Sequence, residues 1–222
     1  MDEKYFAELS RILRKHGIES GPVENGRLVI QMDGQPVGRI EPGGMRCVAP
    51  GDLLTEDASK AFYRAAPFAE MVAEYMESLK RAPTLIAEGL DADYLLLAEF
   101  NGTVLAGKEM EGGYGMQFVT WDWNYDHTAV EQGHYYHDNY EGAKADFAVR
   151  SGLIQKGCYF SEEQLTEMYR CMHDMLDGEY ELTDNQETLI SDTCEQIEKI
   201  VSDLRQRIAQ TEEVTHNFEQ TM

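Results

Sequence analysis

The sequence predicts an α+β fold in which short antiparallel strands and hairpins pack on helices, followed by a C-terminal helical hairpin. The strands are predicted because Asp33-Gly34 and Asn101-Gly102 are dipeptides that favour two-residue β-hairpin loops. The helical hairpin is predicted because two capping sequences, beginning at Ser161 and Thr183, each precede apolar residues at helical spacing. With 222 residues and 42% hydrophobic content, the chain is long enough to bury a substantial core.

The first half of the chain is predicted to alternate helix, strands and helix. Apolar residues at helical spacing predict a helix over residues 3–16, which Gly17 ends as a C-cap. Three short strands are predicted at residues 28–32, 36–40 and 45–48. Thr55 is expected to cap a second helix, in which Pro67 restarts or kinks the backbone.

Beyond Pro67 the second helix carries one continuous stripe of methionine, aromatic and aliphatic residues. Its members are Phe68, Met71, Val72, Tyr75, Met76 and Leu79. A stripe of this kind fits either packing on a sheet or a groove for a partner, and we expect packing on the sheet.

A second group of strands is predicted before the C-terminal helices, at residues 94–100, 103–110 and 117–125. In the last strand, alternation places Val119, Trp121, Trp123 and Tyr125 on one face, which we expect to be buried. The glycine-rich segment at 111–115 interrupts this pattern. We therefore predict a hairpin-rich α+β domain at 1–112 and an acidic, mostly helical domain with a leading strand at 113–222.

Apolar residues of the last helix alternate four and three positions apart, at Ile190, Cys194, Ile197, Val201, Leu204 and Ile208. This spacing is typical of the narrow seam of a helical hairpin or of a coiled coil. We expect the seam to pack on the preceding helix, and a dimer through the C-terminal helix is the alternative.

The net charge of −22 is unevenly distributed, because residues 111–222 hold 23 acidic and 7 basic side chains. So few cations argue against direct binding to nucleic acid. No apolar run approaches the roughly 18 residues of a membrane helix, and the N-terminus lacks the layout of a signal peptide, so we expect a cytoplasmic protein. The acidic surface either serves solubility or attracts a basic or DNA-binding protein partner.

Histidines and carboxylates that could ligate a metal are densest between residues 126 and 138. His127, His134 and His137 are the candidate ligands of zinc or another divalent ion. However, His134 and His137 are three residues apart, and on a regular strand they point to opposite faces. The favoured alternative is that the neighbouring tyrosines pack while the histidines lie at the rim, and we predict no cofactor.

The four cysteines form no C-x-x-C pair and are expected to be free thiols. Cys158 directly precedes a predicted helix N-terminus, a position that can lower the pKa of a thiol. Nucleophilic catalysis at Cys158 would also need a histidine in space, which the sequence does not locate.

Residues 133–154 are predicted to form a structural joint, in which a strand turns at Asp138-Asn139 into a helix that ends at Gly152. Its buried residues are expected to be Phe147, Val149, Leu153 and Ile154. Its candidate partner-binding residues are His134, His137, Asp138, Glu141 and Arg150. For Arg150, which lies near Asp146 and Glu141, a local ion pair that fixes the helix end is the expected role, and contact with a partner is the alternative.

Several motifs in the C-terminal half carry a resemblance to a known family. They are Phe118-Val119-Thr120-Trp121, Gly133-His134-Tyr135-Tyr136, and the segments 143–154, 160–165 and 182–187. Together, over roughly residues 117–205, they resemble a segment of accessory proteins of bacterial conjugative elements. The resemblance implies a role in a bacterial mobile element and supplies no catalytic residue.

We therefore expect a non-enzymatic protein-interaction or regulatory accessory factor of a mobile element, with an acidic DNA mimic of the antirestriction type as its concrete form. The alternative is a metal-dependent or thiol enzyme centred on His127, His134 and His137 or on Cys158.

Overall fold

The computed structural model describes residues 2–90, 93–113, 115–178, 180–201, 203–205 and 207–209. Contacts divide the chain into two compact units, Met1–Ile154 and Gln155–Met222, which we call the N-terminal and the C-terminal unit. The N-terminal unit holds two antiparallel sheets and three α-helices, and the C-terminal unit holds a helical hairpin. The predicted α+β class, with its terminal hairpin, is confirmed.

The N-terminal unit has the order helix, four strands, helix, four strands, helix. Its first half contains α1 (Asp2–Lys15), β1 (Glu19–Glu24), β2 (Arg27–Met32), β3 (Gln35–Ile40) and β4 (Arg46–Cys47). Its second half contains α2 (Glu56–Arg81), β5 (Leu95–Phe100), β6 (Thr103–Glu109), β7 (Met116–Trp123), β8 (Val130–His137) and α3 (Tyr140–Arg150). Each sheet is an antiparallel meander, so one topology occurs twice without an evident repeat in the sequence.

The division between the units falls after Ile154 and not at residue 112. Strands β6 and β7 lie on either side of residue 112, and they pair continuously from Thr103 opposite Asp122 to Glu109 opposite Met116. The glycine-rich segment therefore joins two strands of one sheet rather than two domains.

Short turn signals in the sequence locate the hairpins correctly. Asp33 and Asn101 adopt positive φ angles of 52° and 48°, as the first position of a type I′ turn requires. Strand β1 was not predicted, because Gly21 and Pro22 argue against a strand. Strand β1 lies at the edge of its sheet, where a proline is tolerated because no ladder hydrogen bond is lost.

Helix α2 organises the main core of the N-terminal unit. It runs through Pro67 as one helix of 26 residues, and Thr55 caps it by accepting a hydrogen bond from the amide of Ala58. Its predicted stripe packs into a core shared by α1, both sheets and α3, with Val72 and Tyr75 fully buried. A second core cluster covers the other face of the second sheet, and its buried members are Leu85, Tyr94, Val104, Ala106, Val119 and Trp121.

Three residues expected to be buried lie instead at the surface. Tyr125 is 99% exposed, because β7 ends at Trp123 and the alternation of the strand does not continue into the turn. Leu153 and Ile154 are 55% and 42% exposed, because α3 ends at Arg150 and they follow it in a turn. The surface at the end of α3 is therefore more apolar than predicted.

Gly133 is required where β8 passes Trp121. A Cβ atom at this position would lie against Nε1 of the indole and 2.8 Å from its Cδ1. Gly133→Ala should therefore lower the free energy of unfolding by about 2 kcal/mol, through overpacking, in urea titrations followed by tryptophan fluorescence. Gly157→Ala is the control, because no atom lies within 4 Å of its added Cβ. Equal stability of the two variants would contradict this packing.

The C-terminal unit is built on α4 (Glu162–Asp177) and α5 (Asp184–Ile200). Both predicted capping boxes are present, at Ser161 and Thr183. Four of the six predicted seam residues are buried, at Cys194, Ile197, Val201 and Leu204. The helix itself is shorter than predicted, because Val201 takes extended backbone angles and ends α5 at Ile200. Leu165, Tyr169 and Met172 of α4 pack against Ile197, Val201 and Leu204 in one small core. The seam therefore closes the hairpin within one chain. None of the described helices is long and apolar enough to cross a membrane.

Candidate interaction site

The three histidines proposed as metal ligands occupy different positions around β8. His127 lies in the β7–β8 turn and stacks on the ring of Trp123, with 5.8 Å between the ring centroids. His134 and His137 pair with Thr120 and Phe118 of β7. Within the described residues, no group of three or more His, Cys, Asp or Glu side chains is arranged to hold a metal ion. The structure therefore gives the metal hypothesis no assembled ligand set.

Strand β8 is irregular between His134 and His137. Tyr135 pairs with Val119 and His137 with the adjacent Phe118, so Tyr136 is an extra residue in β8. Such a bulge resets the alternation of side chains. His134 and His137 were expected to point to opposite faces of a regular strand. Because β8 is bulged between them, that expectation does not apply here.

Arg150 is held between α3 and the second sheet. Its Nη1 donates to the carbonyl oxygen and hydroxyl of Thr120, at 3.2 and 3.0 Å, and its Nη2 donates to Asp122 at 2.6 Å. The side chain is only 12% exposed, and Asp146 lies 3.8 Å away. The guanidinium of Arg150 is thus engaged within the fold.

His134 belongs to the same polar network but lies at its outer edge. Its Nδ1 is 3.2 Å from a carboxylate oxygen of Asp146, which also accepts a hydrogen bond from the buried hydroxyl of Thr120. In a nucleophilic triad the imidazole lies between hydroxyl and carboxylate. Here the carboxylate lies between them, so the imidazole is not placed to take the hydroxyl proton. The network fits a structural role, tying α3 to the sheet.

Asp138 connects the β8–α3 junction to α1. Its carboxylate accepts hydrogen bonds from Arg11 at 2.9 Å and from Lys15 at 2.7 Å. Burial alone would raise the pKa of Asp138, but the hydrogen bonds from Lys15 and Arg11 outweigh it and hold that pKa below its usual value. Glu141 likewise pairs with Lys144, at 3.0 Å. Both proposed partner residues thus make ionic contacts within the fold.

Asp138→Asn should lower the free energy of unfolding by about 1.5 kcal/mol at pH 7. Because the folded-state pKa is depressed, this contribution is complete above the unfolded-state pKa and is lost as the pH falls through the folded-state pKa. Urea titrations from pH 7 to pH 2 should show the difference between wild type and variant shrinking below about pH 4. A difference that stays constant over this range would contradict the assignment.

A buried network that the sequence does not predict lies beside Asp138, where Arg11 also contacts Glu8. The carboxylate of Glu8 accepts hydrogen bonds from Nε and Nη2 of Arg11, at 2.8 and 2.9 Å. It also accepts a hydrogen bond from the hydroxyl of Tyr75 at 2.7 Å. Burial raises the pKa of Tyr75, and the charge of Glu8 raises it further, so the phenol stays a donor. The i, i+3 spacing of Glu8 and Arg11 was the one available signal, and it does not reveal the distant tyrosine.

A groove of about 1180 Å³ runs between α1, α2 and the second sheet within the N-terminal unit. Its apolar floor is formed by Ala7, Ala73, Met76, Leu79, Leu95 and Met116. Its rim carries charges of both signs, and Lys4 pairs with Glu109 across 3.1 Å. The mixed charge of the rim does not favour one class of ligand.

The four cysteines lie on four different elements of the chain. Cys158 is exposed in a short 3-10 turn, Lys156–Cys158, that precedes α4. Cys171 is exposed and Cys194 is buried in the hairpin core. All four cysteines are free thiols, as the sequence predicts.

The acidic residues of α5 lie on one side of that helix. The unit holds 16 acidic and 5 basic residues. Those of α5 are Asp184, Glu187, Asp192, Glu195 and Glu198, all exposed. At about 100° per residue they fall within an arc of about 140°, outside the buried seam. We call these five residues the acidic side of α5.

Some carboxylates of the acidic side make contacts within the chain, and others are available to bind cations of a partner. Glu195 pairs with Lys199 at 2.8 Å, and Glu198 accepts the hydroxyl of Tyr169 at 2.7 Å. Within the part of the chain that the structure describes, the carboxylates of Asp184, Glu187 and Asp192 have no ion pair. These three residues are therefore the best-placed contacts for a basic partner.

Comparison with known proteins adds no assignment to this geometry. The chain matches no protein-family model, and it matches none of the curated proteins with which it was compared.

Proposed function

We propose that this chain is a non-enzymatic accessory factor that binds a basic protein surface through the acidic side of α5. The observation that carries this proposal is the one-sided arrangement of the five carboxylates, three of them without an ion pair among the described residues. Charges gathered on one side create a directional field, which steers a basic partner toward that side. A solubilising surface alone would not need such an arrangement.

The spacing of the carboxylates supports a DNA mimic as the concrete form of this factor. From Asp184 to Glu198 the helix rises about 21 Å, which gives roughly one carboxylate every 5 Å. One strand of DNA carries about one phosphate per 3.4 Å of helix axis. Counting carboxylates alone, the acidic side offers about two thirds of the charge density of a single DNA strand. Lys199 lies in the same arc and pairs with Glu195, which reduces the net density to about half that of the strand. The resemblance of residues 117–205 to accessory proteins of conjugative elements supports a role in a bacterial mobile element.

A displacement assay tests the DNA-mimic form. The full chain is titrated into a fluorescent DNA duplex bound to a restriction methyltransferase, and release of the duplex is followed by anisotropy. We expect release at about 50 mM salt and at least about tenfold weaker competition at 200 mM, because salt screens the contact. Competition that is indifferent to salt, or the absence of release at low salt, would argue against the mimic.

The proposal also predicts the metal content of the protein. Protein purified without an affinity tag should hold far less than one equivalent of zinc, manganese or iron by elemental analysis, because the fold brings no set of ligands together at His127, His134 and His137. Stoichiometric metal that survives dialysis would instead support the metal-dependent enzyme.

A further inference from the structure

The Tyr169–Glu198 hydrogen bond shows which flanks of α4 and α5 face the same direction. Because the hairpin is antiparallel, the flanks on the other side of its seam also lie together. At about 100° per residue, that other side presents Met168, Cys171 and Met175 from α4, and Leu189, Thr193, Gln196 and Ile200 from α5. We call these seven residues the neutral side of the hairpin.

The neutral side leaves large apolar side chains exposed to solvent. Leu189 is 58% exposed, Ile200 63% and Met168 37%. Within the described helices α4 and α5, the charged residues lie outside this side, and Glu167 and Asp192 flank it. A strip that is uncharged, apolar except at Thr193 and Gln196, and flanked by carboxylates is therefore built into the hairpin.

The negative charge of the C-terminal unit restricts which kind of partner can bind this strip. With 16 acidic and 5 basic residues in the unit, a second copy would bring like charges together and be repelled. A helix with an apolar stripe and flanking lysines or arginines matches both the strip and its borders. Methionine side chains are flexible and polarisable, which suits them to such an apolar stripe.

We propose that the neutral side binds a basic amphipathic helix of the partner, while the acidic side of α5 contacts the partner's remaining cations. From Leu189 to Ile200 the strip extends about 16 Å, which is the length of three helical turns. This inference rests on the proposed function, because it specifies the form of the basic partner. The basic helix would add an apolar contact, which salt does not screen, to the ionic contact with the acidic side.

The test uses two synthetic peptides of 14 residues with the same leucine and lysine composition. One peptide has the order that forms an amphipathic helix, and the other has a permuted order without an apolar face. The full chain should bind the amphipathic peptide about tenfold more tightly, since apolar burial adds to the shared charge attraction. Fluorescence anisotropy at 150 mM salt measures both affinities.

Matched variants locate the contact. The double variant L189S/I200S should abolish the tenfold preference, and both positions are exposed, so the fold is expected to remain intact. The control L54S/I86S removes an equivalent pair that is 75% and 85% exposed in the N-terminal unit, and it should keep the preference. In addition, bound amphipathic peptide should slow alkylation of Cys171 and leave that of Cys158 unchanged, as measured by mass spectrometry.

The possible outcomes separate the two proposals. If both peptides bind with equal affinity and the binding weakens with salt, the proposal of an apolar contact is wrong, while the proposal of an acidic contact is retained. A preference that survives L189S/I200S would also overturn it. If neither peptide binds even at about 20 mM salt, where screening is weak, the proposed function itself fails.

Discussion

Replacing Arg150 with methionine should lower the free energy of unfolding of the N-terminal unit by about 3 kcal/mol. Arg150 is 12% exposed and donates to Asp122 and to two oxygen atoms of Thr120. Removing the guanidinium leaves Asp122 and Asp146 without their cation, and an unpaired charge near the protein interior is costly. Methionine keeps most of the apolar length of the side chain, so the loss reports mainly on the ionic contacts.

The unfolding of this unit can be followed separately. Both tryptophans, Trp121 and Trp123, lie in β7, so tryptophan fluorescence in urea reports on the second sheet. Arg64→Met is the control, because Arg64 is exposed on α2 and makes no ion pair among the described residues, and it should change stability by less than about 0.5 kcal/mol. If both variants lose less than about 0.5 kcal/mol of unfolding free energy, the contacts of Arg150 with the sheet do not stabilise the fold. Arg150 would then become a candidate for contact with a partner.

Neutralising three carboxylates of α5 should weaken binding to a basic partner at least about tenfold. The variant D184N/E187Q/D192N removes the members of the acidic side that lack an ion pair within the described residues. Each charge is expected to contribute on the order of 1 kcal/mol to attraction at low salt. Fluorescent dodecalysine at about 50 mM salt is the probe, and circular dichroism checks that helix content is retained.

A matched variant separates position from total charge. E3Q/E99Q/D126N removes the same charge from exposed residues of the N-terminal unit that likewise have no ion pair in the described structure. It should weaken binding less than about threefold, because its charges belong to the N-terminal unit and not to the acidic side of α5. Equal losses for the two triple variants would show that net charge, and not the acidic side of α5, attracts the probe.

Local signals in the sequence were sufficient for much of the fold. Asp33-Gly34 and Asn101-Gly102 predict their hairpins because a two-residue loop depends on backbone angles that these dipeptides favour. The capping boxes at Ser161 and Thr183 are equally local. The buried seam positions of α5, Cys194 and Ile197, were predicted from their spacing, because only one side of a helix can face its neighbour, whereas the end of the helix at Ile200 was not.

Features that depend on distant partners were not predictable. The pairing of β6 with β7 crosses residue 112, and no local pattern distinguishes a hairpin loop rich in glycine from a linker. The bulge at Tyr136 depends on how β8 aligns with β7. The ion pairs of Asp138 with Arg11 and of Arg150 with Asp122 join residues far apart in sequence, so neither was predicted. The local pair of Arg150 with Asp146 was expected, because these residues lie four positions apart on one helix.

Carboxyl footprinting tests the acidic contact most directly. The full chain is treated with a carbodiimide and an amine, alone and with dodecalysine bound, and the modified residues are quantified by mass spectrometry. The account predicts that Asp184, Glu187 and Asp192 become protected in the complex, while Glu3, Glu99 and Asp126 keep their reactivity. Protection spread evenly over both sets, or confined to the second, would contradict it.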